Sequence, residues 1–169
     1  MRLRAAKTSI AEITDLAIEV GQPAPLTLFW SGALPFVALA PGRALFVPQD
    51  WEARVSPASR RQAIRHELAH FANRDLEFGL IGRAVFAVCW VQPLVLLLLR
   101  QLSDLSEHIA DDEVLCQGVL PADYARSLAE LQMSRGGKVP SLSLSVVSRP
   151  SSLRGRIARI LESSTPRTF

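Results

Sequence analysis

The chain has 169 residues, 49% of them hydrophobic, with a formal net charge of +3 and a pI of about 9.4. This length predicts one domain with a substantial core. The basic excess is small and scattered, and no basic stripe alternates with aromatic residues, so nucleic-acid binding is not expected. The high hydrophobic content instead suggests contact with a membrane or with a partner surface. The basic excess is compatible with an anionic membrane surface, but a solvated surface explains it better.

The first residues enter a mixed helical pattern and lack the apolar core of a secretory signal. We therefore expect a cytoplasmic protein, or a membrane-associated one that faces the cytoplasm. Cys89 and Cys116 have no metal-ligand spacing, and we expect them to be buried free thiols in a reducing compartment.

Apolar residues at helical spacing predict a first helix over residues 8–20. Residues 26–48 then predict a small antiparallel or mixed sheet, with strands at 26–30, 34–40 and 44–47. Pro35 places the second strand at an edge, because a proline donates no hydrogen bond into a central ladder. An extended peptide can pair with such an edge. We therefore predict substrate contacts at Leu34, Pro35 and Phe36, the alternative being an ordinary edge strand.

Ser56-Pro57 predicts the start of a helix, with serine as N-cap and proline in the first turn. The helical pattern extends to about Val91. Within it, His66-Glu67-Leu68-Ala69-His70 is an H-E-x-x-H pattern, in which two imidazoles four residues apart share one helical face. His66 and His70 are thus predicted to bind one Zn²⁺, with Glu67 as base on a metal-activated water. The alternative is a surface helix that happens to carry two histidines.

A catalytic zinc needs a third protein ligand. Leu76 occupies the position where the metzincin pattern requires a histidine, which excludes that class. The next acidic cluster offers Glu107 as the ligand and Asp111, four residues later on the same helical face, as the group that orients a ligating histidine. Asp104 and His108 are the rival third ligands.

Three segments carry a resemblance to a known family. Residues 66–76 resemble the active-site helix of the BlaR/MecR-type membrane metallopeptidases, and residues 90–95 resemble their W-x-N-P-L-V turn, with Gln92 for Asn. Residues 107–115 are similar to their E-x-x-C-D-D-x-V-L segment, with Ala110 for Cys. The resemblance covers residues 8–162 and implies a gluzincin peptidase with glutamate as third ligand, akin to the HtpX and CAAX prenyl proteases. It also implies internal cleavage of a protein, such as a regulator.

Gln92-Pro93 predicts a break between the first long helix and a second one that carries Glu107. Residues 84–99 are uncharged between Arg83 and Arg100. This run is shorter than the roughly 20 apolar residues that span a bilayer, so it predicts either a buried core hairpin or membrane insertion. The spanning helices usual upstream in the family are not found in this sequence.

Two helices are predicted in the C-terminal part. The first opens at Pro121, carries Tyr124 and ends near Gly136, and residues 138–149 follow as a loop or short strand. The last covers 149–162. Its start is similar to the H-P-x-x-x-x-R-I segment of HtpX-like proteases, which implies that Arg156 lies near the active site. Arg156 is then a candidate for stabilising the oxyanion, a surface arginine being the alternative, and Tyr124 is a weaker candidate.

Together these features predict an α+β metallopeptidase domain, in which a three-stranded sheet packs on the active-site helix and on the glutamate-bearing helix. It would cover residues 1–169, with an N-terminal helix, a sheet, a zinc-binding helical hairpin and C-terminal helices at 1–20, 26–48, 57–117 and 121–162. The predicted function is zinc-dependent endopeptidase with one Zn²⁺ per chain. A silent or latent zinc-binding regulatory module is the alternative, and membrane contact is considered for residues 84–99.

Overall fold

The computed structural model of the chain describes residues 2–30, 35–38, 44–48, 51–134 and 153–162. Within these ranges there are seven helices and three short strands. The helices are α1 Arg2–Glu19, α2 Trp51–Arg54, α3 Pro57–Ala72, α4 Asp75–Val88, α5 Pro93–Cys116, α6 Pro121–Met133 and α7 Leu153–Leu161. The strands are β1 Leu26–Trp30, β2 Phe36–Ala38 and β3 Ala44–Pro48.

The predicted α+β fold class, with a sheet as a main layer of the domain, is wrong. Helices hold most of the described residues, whereas the strands have five, three and five residues. The described strands have the order β1-β3-β2, with β1 parallel and β2 antiparallel to β3. Strand segments this short contribute little apolar surface, so the core is built mainly by helices and the domain is predominantly α-helical.

Helix α3 begins as the sequence predicts. Ser56 is the N-cap, its hydroxyl accepts from the Ser59 backbone N–H, and Pro57 occupies the first turn. Glu130 of α6 reaches the same end, where its Oε1 accepts from the Ser56 N–H at 2.6 Å and its Oε2 accepts from the hydroxyls of Ser56 and Ser59 at 2.8 and 2.5 Å. A carboxylate at a helix N-terminus satisfies otherwise unpaired N–H groups and complements the helix dipole. These bonds fix α3 against α6.

Two clusters of buried apolar side chains form the core. One joins α1, β3, α2, α3 and, through Leu131, α6, and the other joins α5, α6 and α7. The first contains Ile13, Leu16, Ala17, Leu45, Val47, Trp51, Val55, Ala63, Ile64, Leu68, Phe71 and Leu131. The second contains Val114, Leu115, Tyr124, Ala125, Leu128 and Ile160. Because α3 also packs on α5 and α6, its polar face lies between the two clusters.

The predicted continuation of the active-site helix to Val91 is wrong. Helix α3 ends at Ala72, Asn73 is its C-cap, and Arg74 adopts the left-handed conformation with φ 57° and ψ 33°. A left-handed residue costs about 1–2 kcal/mol when it is not glycine and it redirects the chain. The start of α5 at Pro93 is as predicted, because proline suits the first helical turn and not the interior.

The hairpin of α4 and α5 is not the buried core element that was one of the two predictions. Its apolar side chains are largely exposed, among them Phe78, Val88, Trp90 and Leu94. The prediction that both cysteines are buried is also wrong, since Cys89 and Cys116 are exposed. Among the described helices, none combines the length and the hydropathy needed to cross a bilayer.

The terminal helices differ from their predicted bounds. Helix α1 begins at Arg2 and not near residue 8. Helices α6 and α7 are described as Pro121–Met133 and Leu153–Leu161, and the predicted helical residues 149–152 lie outside the described ranges. Residues 31–34, 41–43 and 138–152 lie outside the described residues, and with them the predicted turns, the predicted loop and the Arg149-Pro150 pair.

Candidate metal centre

Helix α3 presents its two histidines side by side. The rings of His66 and His70 have centroids 4.8 Å apart and stand nearly perpendicular, at 87°. His66 is buried and His70 is nearly so, because this face of α3 packs against α5 and α6. The i, i+4 spacing predicted from the sequence thus places both imidazoles in one sheltered cleft.

Glu107 of α5 faces both rings. Its Oε2 lies 3.5 Å from His66 Nε2 and its Oε1 lies 3.8 Å from His70 Nε2. One ligand atom from each of the three residues lies within 4.8 Å of the others. Donors about 2.1 Å from a tetrahedral zinc lie roughly 3.4 Å apart, so a small contraction would let the three hold one ion. Two imidazoles and a carboxylate are also a donor set typical of catalytic zinc.

The rival ligands do not join this cluster. Asp104 and His108 are in no group of three potential metal ligands among the described residues. His108 instead uses its backbone carbonyl, which accepts from Arg159 Nη1 at 3.5 Å. Residue 108 is turned about 100° around α5 from Glu107, whereas residue 104 is on the same side of the helix as Glu107, almost one turn earlier.

The outward nitrogen of each histidine has a carboxylate partner. His70 Nδ1 lies 2.6 Å from Asp75 Oδ2. His66 Nδ1 lies 3.3 Å from Asp111 Oδ1 and 3.1 Å from the hydroxyl of Tyr124. A carboxylate can only accept, so these contacts place a proton on Nδ1 and leave Nε2 to face the cleft.

Asp75 was missed by the sequence reasoning, although its contact with His70 is the shorter of the two carboxylate contacts. Five residues along an unbroken helix correspond to a rotation of about 140°, which would turn Asp75 away from His70. The break at Arg74 removes that restriction and returns residue 75 to the histidine. The left-handed conformation of a non-glycine residue is the feature that sequence patterns do not reveal.

Arg156 of α7 closes the site from the other side. Its Nε and Nη2 donate to Asp111 at 2.9 and 2.5 Å, and its Nη1 lies 2.8 Å from Glu107 Oε2. Helix α7 is held in place by a second ion pair, between Arg159 and Asp112 of α5. Arg156 therefore bridges the two acidic residues of α5 that were singled out in the sequence.

Tyr124 contacts His66 at Nδ1 and not at Nε2, the nitrogen nearest to Glu107. Its side chain is 1% exposed, and its hydroxyl donates to Asp111 Oδ1 at 2.7 Å. Burial raises the pKa of Tyr124 well above its ordinary value, and the charge of Asp111 adds to this. The roles predicted for Tyr124 and Arg156 on the oxyanion stay predictions. In the structure Tyr124 contacts His66 and Asp111, and Arg156 contacts Glu107 and Asp111.

The electrostatics of the cleft favour a cation. Burial opposes charge on His66, but hydrogen bonds to Asp111 and Glu107 outweigh it and raise the pKa of His66 to about 9. Burial alone would raise the pKa of Glu107, yet its hydrogen bond to His66 and the charges of His66 and Arg156 lower it to about 2. Both shifts have one cause, the close approach of carboxylates to His66, and a metal ion competes with protons for such a position.

Glu67 differs from the other acidic residues. It is half-buried on α3 beside the histidines, and burial raises the pKa of its carboxyl group despite the opposing charges of His70 and His66. A higher pKa makes a carboxylate a better proton acceptor near neutral pH. The property suits a general base.

The predicted substrate edge is only partly described. Leu34 lies outside the described residues, Pro35 is buried, and Phe36 begins β2. Among the described strands β2 pairs only with β3, which leaves its other side without a strand neighbour. Strand β2 also packs on α3, the helix that carries the histidines.

Helices α3 and α5 thus bring two histidines of an H-E-x-x-H segment and a glutamate into one cleft. This arrangement is that of a metallopeptidase-like domain. The family comparison gives the same result: the model of the BlaR1 peptidase M56 family matches residues 12–160. The chain belongs to this peptidase family. Neither the curated proteins nor the solved structures give a significant match.

Proposed function

We propose that the chain is a zinc-dependent endopeptidase of the gluzincin type, with one Zn²⁺ held by His66, His70 and Glu107 and with Glu67 as general base. The observation that carries the proposal is the convergence of three ligand atoms from α3 and α5 to within 4.8 Å. A purely structural site would have no need for Glu67 beside it. The family membership supports a peptidase independently of this geometry.

When bound, zinc would polarise the scissile carbonyl and lower the pKa of an attacking water. Glu67 accepts the proton of that water and returns it to the leaving amine. Its raised pKa suits both steps, because the carboxyl group must gain and lose a proton in one turnover. General-base residues contribute about 10²–10⁴-fold to the rate.

The remaining polar residues of the cleft position the ligands. Asp75 holds the ring of His70, while Asp111 and Tyr124 hold that of His66. Arg156 neutralises Asp111 and orients Glu107. Such outer contacts fix the ring orientation and the tautomer of a metal-binding histidine.

We further propose that the substrate is a protein, bound in extended form along the side of β2 that has no described strand neighbour. Backbone pairing with a strand edge binds an extended peptide with little dependence on its sequence. Two facts support this: β2 lacks a described neighbour on one side, and it packs on the helix that carries Glu67. The family resemblance suggests a regulatory protein as the substrate.

The test is zinc content and casein cleavage, measured on the same samples of wild type, Glu67→Gln and the matched control Glu12→Gln on α1. We expect one zinc per chain in all three and a loss of about 10²–10⁴-fold in cleavage for Glu67→Gln only. Removal of zinc by a chelator should abolish cleavage, and added zinc should restore it.

Other outcomes discriminate between the alternatives. Zinc in all three proteins with no cleavage in any would favour the silent or latent zinc-binding module, and activity that appears after limited proteolysis would identify latency. Absence of zinc from wild type after incubation with the ion would refute the assignment of His66, His70 and Glu107.

A further inference from the structure

The exposed apolar side chains are concentrated in one hairpin. Of the seventeen large hydrophobic residues exposed in the described part of the chain, twelve lie between residues 78 and 105, in α4, α5 and the turn that joins them. Trp90, at the turn, is 70% exposed and Val88 is 83% exposed. Exposed apolar patches of this extent mark surfaces that contact a partner or a membrane.

The two helices of the hairpin are held closely together. A Cβ atom at Gly82 of α4 would lie 2.5 Å from Leu99 Cδ2 of α5, so the glycine allows close approach of the helices. The apolar residues that remain exposed are on both helices and on the turn. A partner packed on one face would leave many of them in water, whereas a lipid phase would surround all seven that lie between residues 84 and 99.

The charges of the hairpin mark a boundary. Residues 84–99 contain no charged side chain, and exposed arginines stand at both ends, Arg83 on α4 and Arg100 on α5. Within the described ranges neither arginine forms an ion pair with a protein carboxylate. At about 1.5 Å per residue, the uncharged arms 84–88 and 93–99 extend about 8 and 10 Å beyond these arginines. This matches the roughly 5–10 Å to which interfacial helices enter a bilayer.

We propose that the hairpin tip, defined as residues 84–99, inserts into one leaflet of an anionic lipid membrane, with Arg83 and Arg100 at the level of the lipid phosphates. The insertion is shallow and does not cross the bilayer. The charge of the arginines complements anionic headgroups, and the apolar tip supplies the hydrophobic contribution. Trp90 lies where it would enter the lipid first.

The insertion would fix the height of the metal centre above the membrane. Glu107 follows Arg100 by seven residues of the same helix, or about 10 Å, and Asp75 precedes Arg83 by eight residues. If the hairpin stands upright, the cleft lies about 10–12 Å from the phosphates. This consequence rests on the proposed peptidase function, and it makes the substrate class a protein segment close to a membrane surface.

Vesicle flotation tests the insertion without reference to catalysis, because it is done with the Glu67→Gln protein. The vesicles contain either phosphatidylcholine alone or equal parts of phosphatidylcholine and phosphatidylglycerol. We expect binding that is stronger to the anionic vesicles, with a blue shift of tryptophan emission that disappears in Trp90→Phe. Leu94→Glu should lower the partition coefficient at least about tenfold. Leu120→Glu, at a residue 66% exposed against 60% for Leu94, is the matched control and should bind normally.

The arginines are tested separately. Arg83→Gln and Arg100→Gln should each reduce binding to the anionic vesicles about fivefold and leave binding to neutral vesicles unchanged. Binding that Leu94→Glu does not weaken would overturn the proposal, as would absence of binding to either vesicle. A wild-type dimer in sedimentation that Leu94→Glu dissociates, together with no vesicle binding, would show that a second copy of the chain covers the hairpin instead.

Discussion

The contact between Asp75 and His70 makes a specific prediction about zinc affinity. The 2.6 Å separation and the low exposure of both side chains, 12% for His70 and 21% for Asp75, describe a charge-assisted hydrogen bond with little solvent screening. Loss of such a partner typically weakens metal binding about 10–100-fold, which is roughly 1.4–2.8 kcal/mol. Asp75→Asn retains an oxygen that accepts from Nδ1 and should lie near the lower limit, whereas Asp75→Ala should approach the upper one.

The assay is competition for zinc against a chromophoric chelator at fixed pH. Asp75 is also in the first turn of α4, where a negative charge stabilises the helix by about 0.3–1 kcal/mol. Denaturant unfolding of the metal-free proteins therefore accompanies the titration and separates helix stability from zinc affinity.

Asn73→Ala is the control for the titration. It changes the same helix junction and removes a hydrogen bond from Asn73 Nδ2 to Glu113 at 3.2 Å, without touching a histidine. Its zinc affinity should equal that of wild type. If Asp75→Ala also binds zinc as tightly as wild type, Asp75 does not position His70 and the argument from their distance is refuted.

Two further predictions concern stability. Glu130→Gln should destabilise the fold by about 1 kcal/mol, because Ser56 and Ser59 lose a charged acceptor on a half-buried group. These bonds lower the pKa of Glu130. Its contribution to the free energy of unfolding is therefore complete above its unfolded-state pKa and is lost as pH falls through its folded-state pKa. Urea unfolding curves of wild type and variant should converge in acid. Arg156→Met should destabilise the metal-free protein by about 1.5–3 kcal/mol, because the buried carboxylate of Asp111 loses both hydrogen bonds from the guanidinium and keeps only Tyr124 and His66 as partners. An unfolding midpoint equal to that of wild type would contradict this.

Local signals in the sequence predicted those features that depend on few residues. The starts of α3 and α5 follow from Ser56-Pro57 and Pro93, since an N-cap and a proline act within one turn. The shared face of His66 and His70 follows from helical periodicity alone. The approach of Glu107 to the histidines depends on how α3 and α5 cross. A sequence pattern predicts the order of the motifs along the chain but not the angle between two helices.

The fold class could not be read from the pattern for a different reason. Residues 26–48 carry strand signals, and the strand segments lie where these signals are. A sequence pattern does not predict, however, how many of the buried core residues an element supplies. Leu45 and Val47 of β3 are buried against helices, and helices supply most of the other members of that cluster. The helices thereby determine the architecture.

Two errors of the sequence analysis have one physical origin, the left-handed residue Arg74. An unbroken helix from Pro57 to Val91 would have turned Asp75 away from the site and kept the apolar residues after it in line with the buried face of α3. The break instead brings Asp75 to His70 and starts α4 in a new direction, in which it packs on α5 and leaves apolar side chains exposed. The residue that completes the environment of the second histidine and the hairpin proposed to enter a membrane therefore depend on the same backbone turn. A lipid contact at the hairpin tip and the orientation of His70 would then be linked through a single short helix.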